Sequence, residues 1–212
     1  MDRDIAYLND AELSALYAPP GDLVQRAVRS HLTDFHLEYL RSATFFILAT
    51  GSSNGLDASP RGGAAGIVQT IDRETVCFAD WPGNNRIESL RNIVRDDRVG
   101  LLFIFPGLDI FMRINGRAGV TVDGEILDRL KEGTRRPKTA VVVRIDDVLF
   151  HCGKAVNRAG LWKADSQLDR KAFPSPGVMM KELAEVTDVP AEDLDAGYSH
   201  AMVNDLYGEP EH

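Results

Sequence analysis

The chain has 212 residues, 44% hydrophobic and 26% charged, with a formal net charge of −8. That mixture is ordinary for a soluble globular protein able to bury its own core. The acidic balance speaks against general nucleic-acid binding, yet it leaves room for a local basic pocket holding one phosphorylated small molecule.

No run of about 18 apolar residues offers a membrane span. The opening MDRDIAYLND has neither the basic nor the apolar region of a signal peptide, so a cytoplasmic protein is expected. Residues 4–40 read as helical. Ile5, Leu8, Leu13 and Leu16 mark one short amphipathic element ended by Pro19-Pro20-Gly21. Leu23, Ala27, Val28, Leu32, Phe35 and Tyr39 then return at helical spacing and predict a second. His31 and His36 lie there without other ligands at metal-site spacing, so packing or surface roles and no metal site are expected.

At Thr44 the texture changes. TFFILAT at 44–50 predicts a strand, and SSNG a turn. Further strands are expected around 56–61, 66–70 and 75–79, then at 99–105, where VGLLFIF is apolar almost throughout. From Met112 the even positions Ile114, Ala118, Val120 and Val122 alternate with smaller or more polar neighbours, predicting a long strand with a bulge near Gly116. A helix over 124–131 separates it from strands at 140–145 and 148–152. Helices over 178–186 and 191–206 close the chain. So many strands with so few helices between them predict an antiparallel-rich barrel or sandwich with helical additions. Cys77 and Cys152 sit far apart in apolar, strand-like settings and read as two buried thiols, with a disulfide as the alternative.

Two local settings suit an anion. In DWPGNNRIESLRNIV, Pro82-Gly83 turns the chain and Asn85 is placed to cap a helix, with Glu88 completing a capping box. Ile87, Leu90 and Val94 are its expected apolar side. Amides at such a start favour an anion, Arg86 offers a planar fork, and Ser89 offers a hydroxyl one turn on. The alternative is simply a well-capped helix with an exposed Arg86. In DASPRGG, Arg61 precedes two glycines and Ser59 is a donor nearby; the alternative is a turn with a surface arginine. Neither Walker nor GxGxxG spacing is present.

The segments DASPRGG, FADWPGNNRIESLRNIVRDDRVGLLFIFPG, RINGRA and FHCGKAVNRAGLW, taken in order, resemble the pyridoxamine 5'-phosphate oxidase-like flavoproteins over about residues 5–165. The match is to their functionally uncharacterised branch. The resemblance implies an FMN-binding split β-barrel, mainly β with helical additions, and a homodimer with cofactor sites at its interface. It places a core at 41–165 between helical extensions at 1–40 and 166–212, all packed as one unit. It assigns the flavin phosphate to Arg61, Arg86 and Ser89, with Asn85 shaping the turn. Ser59 and Asp80 are expected nearer the flavin or its ribityl chain. Arg113 and Asn115 line the pocket or support the barrel, and Arg158 and Trp162 come from the facing subunit. His151 and Cys152 are expected to support their strand.

Two departures from the family pattern stand out. Gly63 stands where SPKGD-type relatives carry a carboxylate, and Trp81 where a basic residue is common. The resemblance implies an FMN-dependent oxidoreductase cycling between a small-molecule donor and acceptor, with no catalytic side chain assigned. A non-catalytic flavin carrier or sensor, or pyridoxamine 5'-phosphate oxidation itself, are the alternatives.

Overall fold

The computed structural model describes residues 5–53 and 55–207. The expectations touching residues 1–4, Asn54 and 208–212 lie outside the described residues. The strands are β1 Phe45–Ser52, β2 Gly55–Gly62, β3 Val68–Thr70, β4 Thr75–Asp80, β5 Arg98–Ile104, β6 Ile110–Thr121 and β7 Thr139–Cys152. The α-helices are α1 Asp10–Leu16, α2 Asp22–Arg26, α3 Asp34–Ser42, α4 Glu88–Arg95, α5 Gly124–Arg129, α6 Lys154–Ala159, α7 Pro176–Leu183 and α8 Ala191–Asn204.

The strands form one antiparallel sheet in the order β2-β1-β5-β6-β7-β4-β3. Directly opposed residues share a face, so the run Phe46, Phe103, Met112 and Phe150 defines the inner one. The sheet curls until β1 faces β4: the Phe46 and Phe78 rings meet edge-on with centroids 5.0 Å apart. Three strands separate β1 from β4 in the sheet, so this contact closes the barrel. Helix α3 seals one opening, with Leu40 buried, His36 stacked on Phe150 and Tyr39 packed edge-on against Phe105. Helix α4 inserts Ile93 at the inner face. This is a mainly β split barrel with helical additions.

Several expectations are corrected. The second N-terminal helix breaks after α2. Arg29 bridges to Val148, and the Leu32 amide donates to the Arg73 carbonyl at 2.7 Å. Leu32 is fully buried, and long-range partners for its backbone outweigh the helical period that the sequence suggested. The expected strands at 140–145 and 148–152 are one strand, β7. It continues past a register shift at Asn115/Gly116, where the bulge was expected. Glycine is required there, because a Cβ at Gly116 would lie 2.1 Å from the Arg144 carbonyl oxygen. Val122 falls beyond the end of β6 and is exposed. Helix α6 had no counterpart in the sequence reading. Cys77 is buried as expected, but Cys152 is an exposed free thiol at the end of β7.

Helix α4 is also corrected. It starts at Glu88 with Ile87 at its cap. Asn85 adopts a left-handed φ of 57° and forms no capping box. Asn84 instead takes the Arg86 amide at 3.0 Å. Asparagine tolerates this backbone better than most residues, which lets the NN pair make a turn of its own. The inward side of α4 is Ser89, Asn92 and Ile93, while Ile87 and Val94 are exposed. That shift of the helix face brings Ser89 and Asn92 to the barrel beside Ile93 and half-buried Leu90, and leaves Val94 outside.

Candidate functional site

The site grows from edge strand β2. Period-two alternation puts Asp57, Ser59 and Arg61 on one side of it, all half-buried, while their neighbours face out. Opposition to Phe46 and Leu48 places that side with the inner face. Arg61 Nη1 donates to Asp80 Oδ1 at 3.0 Å, tying the outermost strand on one side to β4 near the other, with both side chains about four-fifths covered. Burial outweighs the neighbouring Arg61 charge and holds the Asp80 carboxyl above its ordinary range. A pair whose acid is raised rather than lowered is a weak stabiliser, and such pairs gather at functional sites.

Arg61 Nε is fully buried and has no hydrogen-bond partner among the described residues. An unmet donor on a covered guanidinium costs free energy unless an acceptor reaches it. The Ser59 side chain lies between Arg61 and Asp57 on the same side of β2. One strand position further, Asp57 accepts from the Ser89 hydroxyl at 2.5 Å. Behind it, Asn92 Nδ2 donates to Thr50 Oγ1 at 3.2 Å and fixes α4 against β1.

Ser59, Arg61, Asp80 and Ser89 are thus brought into one inner corner bounded by β2, β4 and α4. Asn85 and Arg86 lie on the loop entering that corner. Arg86 is largely exposed and turned to Glu88, with Nε to Oε1 at 3.5 Å. Arg113 and Asn115 are not part of this corner. They sit on β6 opposite Leu102 and Gly100, facing outward. Arg158 is exposed on α6. Trp162 Nε1 donates to the Leu108 carbonyl at 3.0 Å, pinning the segment after α6 to the β5–β6 turn. Asp57 is the residue that sequence reasoning missed. Its signal was parity: it shares the side of β2 carrying Ser59 and Arg61. Trp81 meets Tyr207 edge-on, centroids 5.0 Å apart, so the aromatic replacing a base contacts the end of the C-terminal segment.

Arg61 and the Ser59 hydroxyl are the groups in this corner that could hold a phosphate monoester, with exposed Arg86 as a second cation nearby; Ser89 is engaged by Asp57. The curled antiparallel sheet closed on itself, with a covered and incompletely paired arginine at its corner, defines a split barrel. Residues 32–152, more than half of the chain, match the pyridoxamine 5'-phosphate oxidase family. The chain belongs to that family.

Among solved structures it is similar to a pyridoxamine 5'-phosphate oxidase-type protein of Lactobacillus delbrueckii at 20% identity, covering 57% of this chain and 95% of that one, with a TM-score of 0.45. A HupZ protein of Group A Streptococcus matches at 16% identity, covering 55% and 92%, with a TM-score of 0.45. A further protein of this type, from Listeria innocua, matches at 16% identity, covering 55% and 95%, with a TM-score of 0.43. No curated protein matches the chain. Among the described residues no helix is long and apolar enough to cross a membrane.

Proposed function

We propose that this protein is a cytoplasmic FMN-dependent oxidoreductase, working as a homodimer with its cofactor sites at the interface. The core spans 41–165, and the described residues before and after it serve as helical extensions. The observation that carries the reading is the buried, unmet Nε of Arg61 beside an ion pair whose acid is held above its ordinary range. Family membership makes FMN phosphate the preferred occupant. When bound, the flavin supplies the electron chemistry, accepting reducing equivalents from a small donor and delivering them to a small organic acceptor or oxygen. Arg61 and Ser59 hold phosphate oxygens, Asp80 fixes the guanidinium plane, and Arg86 adds charge from the loop. Half-buried Ile47, Ile104 and Phe111 on the outer face of the sheet support a second copy as the missing cover.

FMN titration of purified protein tests this, with circular dichroism as the folding control. Arg61→Ala is expected to weaken FMN about tenfold or more, the size of one charge-assisted hydrogen bond. Arg86→Ala is expected to do less, because its side chain is mostly in water. Unchanged affinity in a folded Arg61→Ala, Arg86→Ala double variant removes the assignment. Rapid flavin reduction and reoxidation with a defined donor and acceptor separates an enzyme from a carrier or sensor.

A further inference from the structure

The inner corner holds an acid that no cation answers. Period-two alternation turns Asp57 to the same side of β2 as Ser59 and Arg61. Arg61 is already tied to Asp80 at 3.0 Å, and Arg86 is turned to Glu88. Among the described residues no basic side chain forms an ion pair with Asp57, whose donor is instead the neutral hydroxyl of Ser89 at 2.5 Å.

The two partners differ in how firmly they are held. Ser89 is 3% exposed on α4, and the next turn of that helix is pinned twice. Asn92 Nδ2 donates to Thr50 Oγ1 at 3.2 Å, and Ile93 is in the core. Thr50 lies directly opposite Asp57 in the β1–β2 pairing, so β1 and α4 form a fixed polar wall behind it. Asp57 itself rides on the outermost strand, paired on one side only, with its neighbour Leu56 93% exposed. When a ligand competes for the Ser89 hydroxyl, Asp57 is the partner able to give way.

Charge gives that contact a consequence. Asp57 and Ser59 are two residues apart on an extended strand, about 7 Å. That is inside the screening length of about 10 Å at 0.1 M salt, and a half-buried corner is screened less than open water. A phosphomonoester held by Arg61 and Ser59 therefore brings its second negative charge toward a carboxylate that no cation offsets. The same carboxylate holds the hydroxyl that would otherwise serve the phosphate.

Resting on the reading of this corner as the FMN phosphate site, we propose that Asp57 is its charge-selecting residue. It withholds the Ser89 hydroxyl and opposes the second charge of a phosphomonoester, so ligands are ranked by the charge on the group that reaches Arg61. Affinity for a phosphorylated flavin is thereby held below what Arg61 and Ser59 would give without it.

Flavin fluorescence quenching tests this on the full chain with FMN and with riboflavin, which lacks the phosphate. Circular dichroism confirms the fold of each variant. Asp57→Asn keeps an acceptor for Ser89 and removes the charge, so it is expected to tighten FMN about tenfold and leave riboflavin unchanged. A merely structural role would move both flavins together. Ser89→Ala is expected to change FMN affinity by no more than about twofold in the wild type, where the hydroxyl is engaged. In an Asp57→Ala background the hydroxyl is free, and losing it should weaken FMN about fivefold. An FMN-to-riboflavin preference unchanged or reduced in folded Asp57→Asn overturns the proposal, as does an equal cost of Ser89→Ala in both backgrounds. If the wild type takes neither flavin, the cofactor reading falls, and inorganic phosphate then judges Asp57 separately. A larger phosphate-induced rise in melting temperature in Asp57→Asn than in the wild type upholds charge selection, and equal or absent rises overturn it.

Discussion

The barrel and the terminal helices use the same kinds of apolar residue to opposite effect. In the strands, Phe46, Leu48, Val76, Leu101, Phe103, Met112 and Val143 are completely buried. In α1 and α2 no residue is buried, and Leu16 and Leu23 are 67% and 78% exposed. In α7 and α8 only Gly177 is buried. Its lack of a side chain lets the two helices touch, since a Cβ there would lie 2.2 Å from the Ala191 carbonyl oxygen. Hydrophobic composition therefore gives no address. The difference lies in cross-strand pairing, which puts every second residue against another sheet residue, whereas these helices meet the described residues with little beyond their own neighbours.

Three measurements break or sharpen that contrast. The largest effect belongs to the closure contact. Phe46→Ala removes a buried ring that touches both Phe78 and Phe103 and should cost about 3–5 kcal/mol in denaturant unfolding. A loss below about 1 kcal/mol would mean the barrel is not held shut where β1 meets β4.

An intermediate effect is set at the barrel opening sealed by α3. The Thr33 amide donates to His36 Nδ1 at 3.0 Å, which requires that nitrogen to be unprotonated. Burial first, then the charges of His31 and Arg29, lower the pKa of His36 below 6.5. The folded chain therefore binds this proton less readily than the unfolded one. The resulting stabilisation is complete above pH 6.5 and declines as pH falls through 6.5 toward the lowered folded value. Urea midpoints measured across mildly acidic pH should fall in the wild type and fall less in His36→Gln. Equal slopes in the two proteins would place the acid sensitivity elsewhere.

The smallest effect is expected in the C-terminal pair. Leu183 is 84% exposed, so Leu183→Ser should change unfolding free energy by no more than about 0.5 kcal/mol. A cost approaching that of Phe46→Ala, especially one varying with protein concentration, would show that α7 is covered by a second copy in solution.

Much of the barrel was legible because strand signals are local. TFFILAT, VGLLFIF and the alternation from Met112 each marked a strand, and Gly116 marked its bulge. Where prediction failed, a distant partner decided the outcome. Leu32 left the helical pattern for the Arg73 carbonyl, and β7 ran through Asp146 because β6 offered pairing on both sides of the bulge. The candidate site divides the same way. Arg61 and Ser59 were visible as a charged, glycine-flanked strand end. Asp57 was not singled out, because its importance comes from Ser89, which lies 32 positions away.

The sequence by itself determined the antiparallel strands, the family resemblance and Arg61 and Arg86 as the arginines worth asking about, since alternation, turn residues and ordered motifs are local properties. Only the tertiary structure decided that Arg61 faces inward against Asp80 while Arg113 faces outward. Which face a strand residue takes depends on register, and register is set by the strands that lie beside it, not by the residue itself.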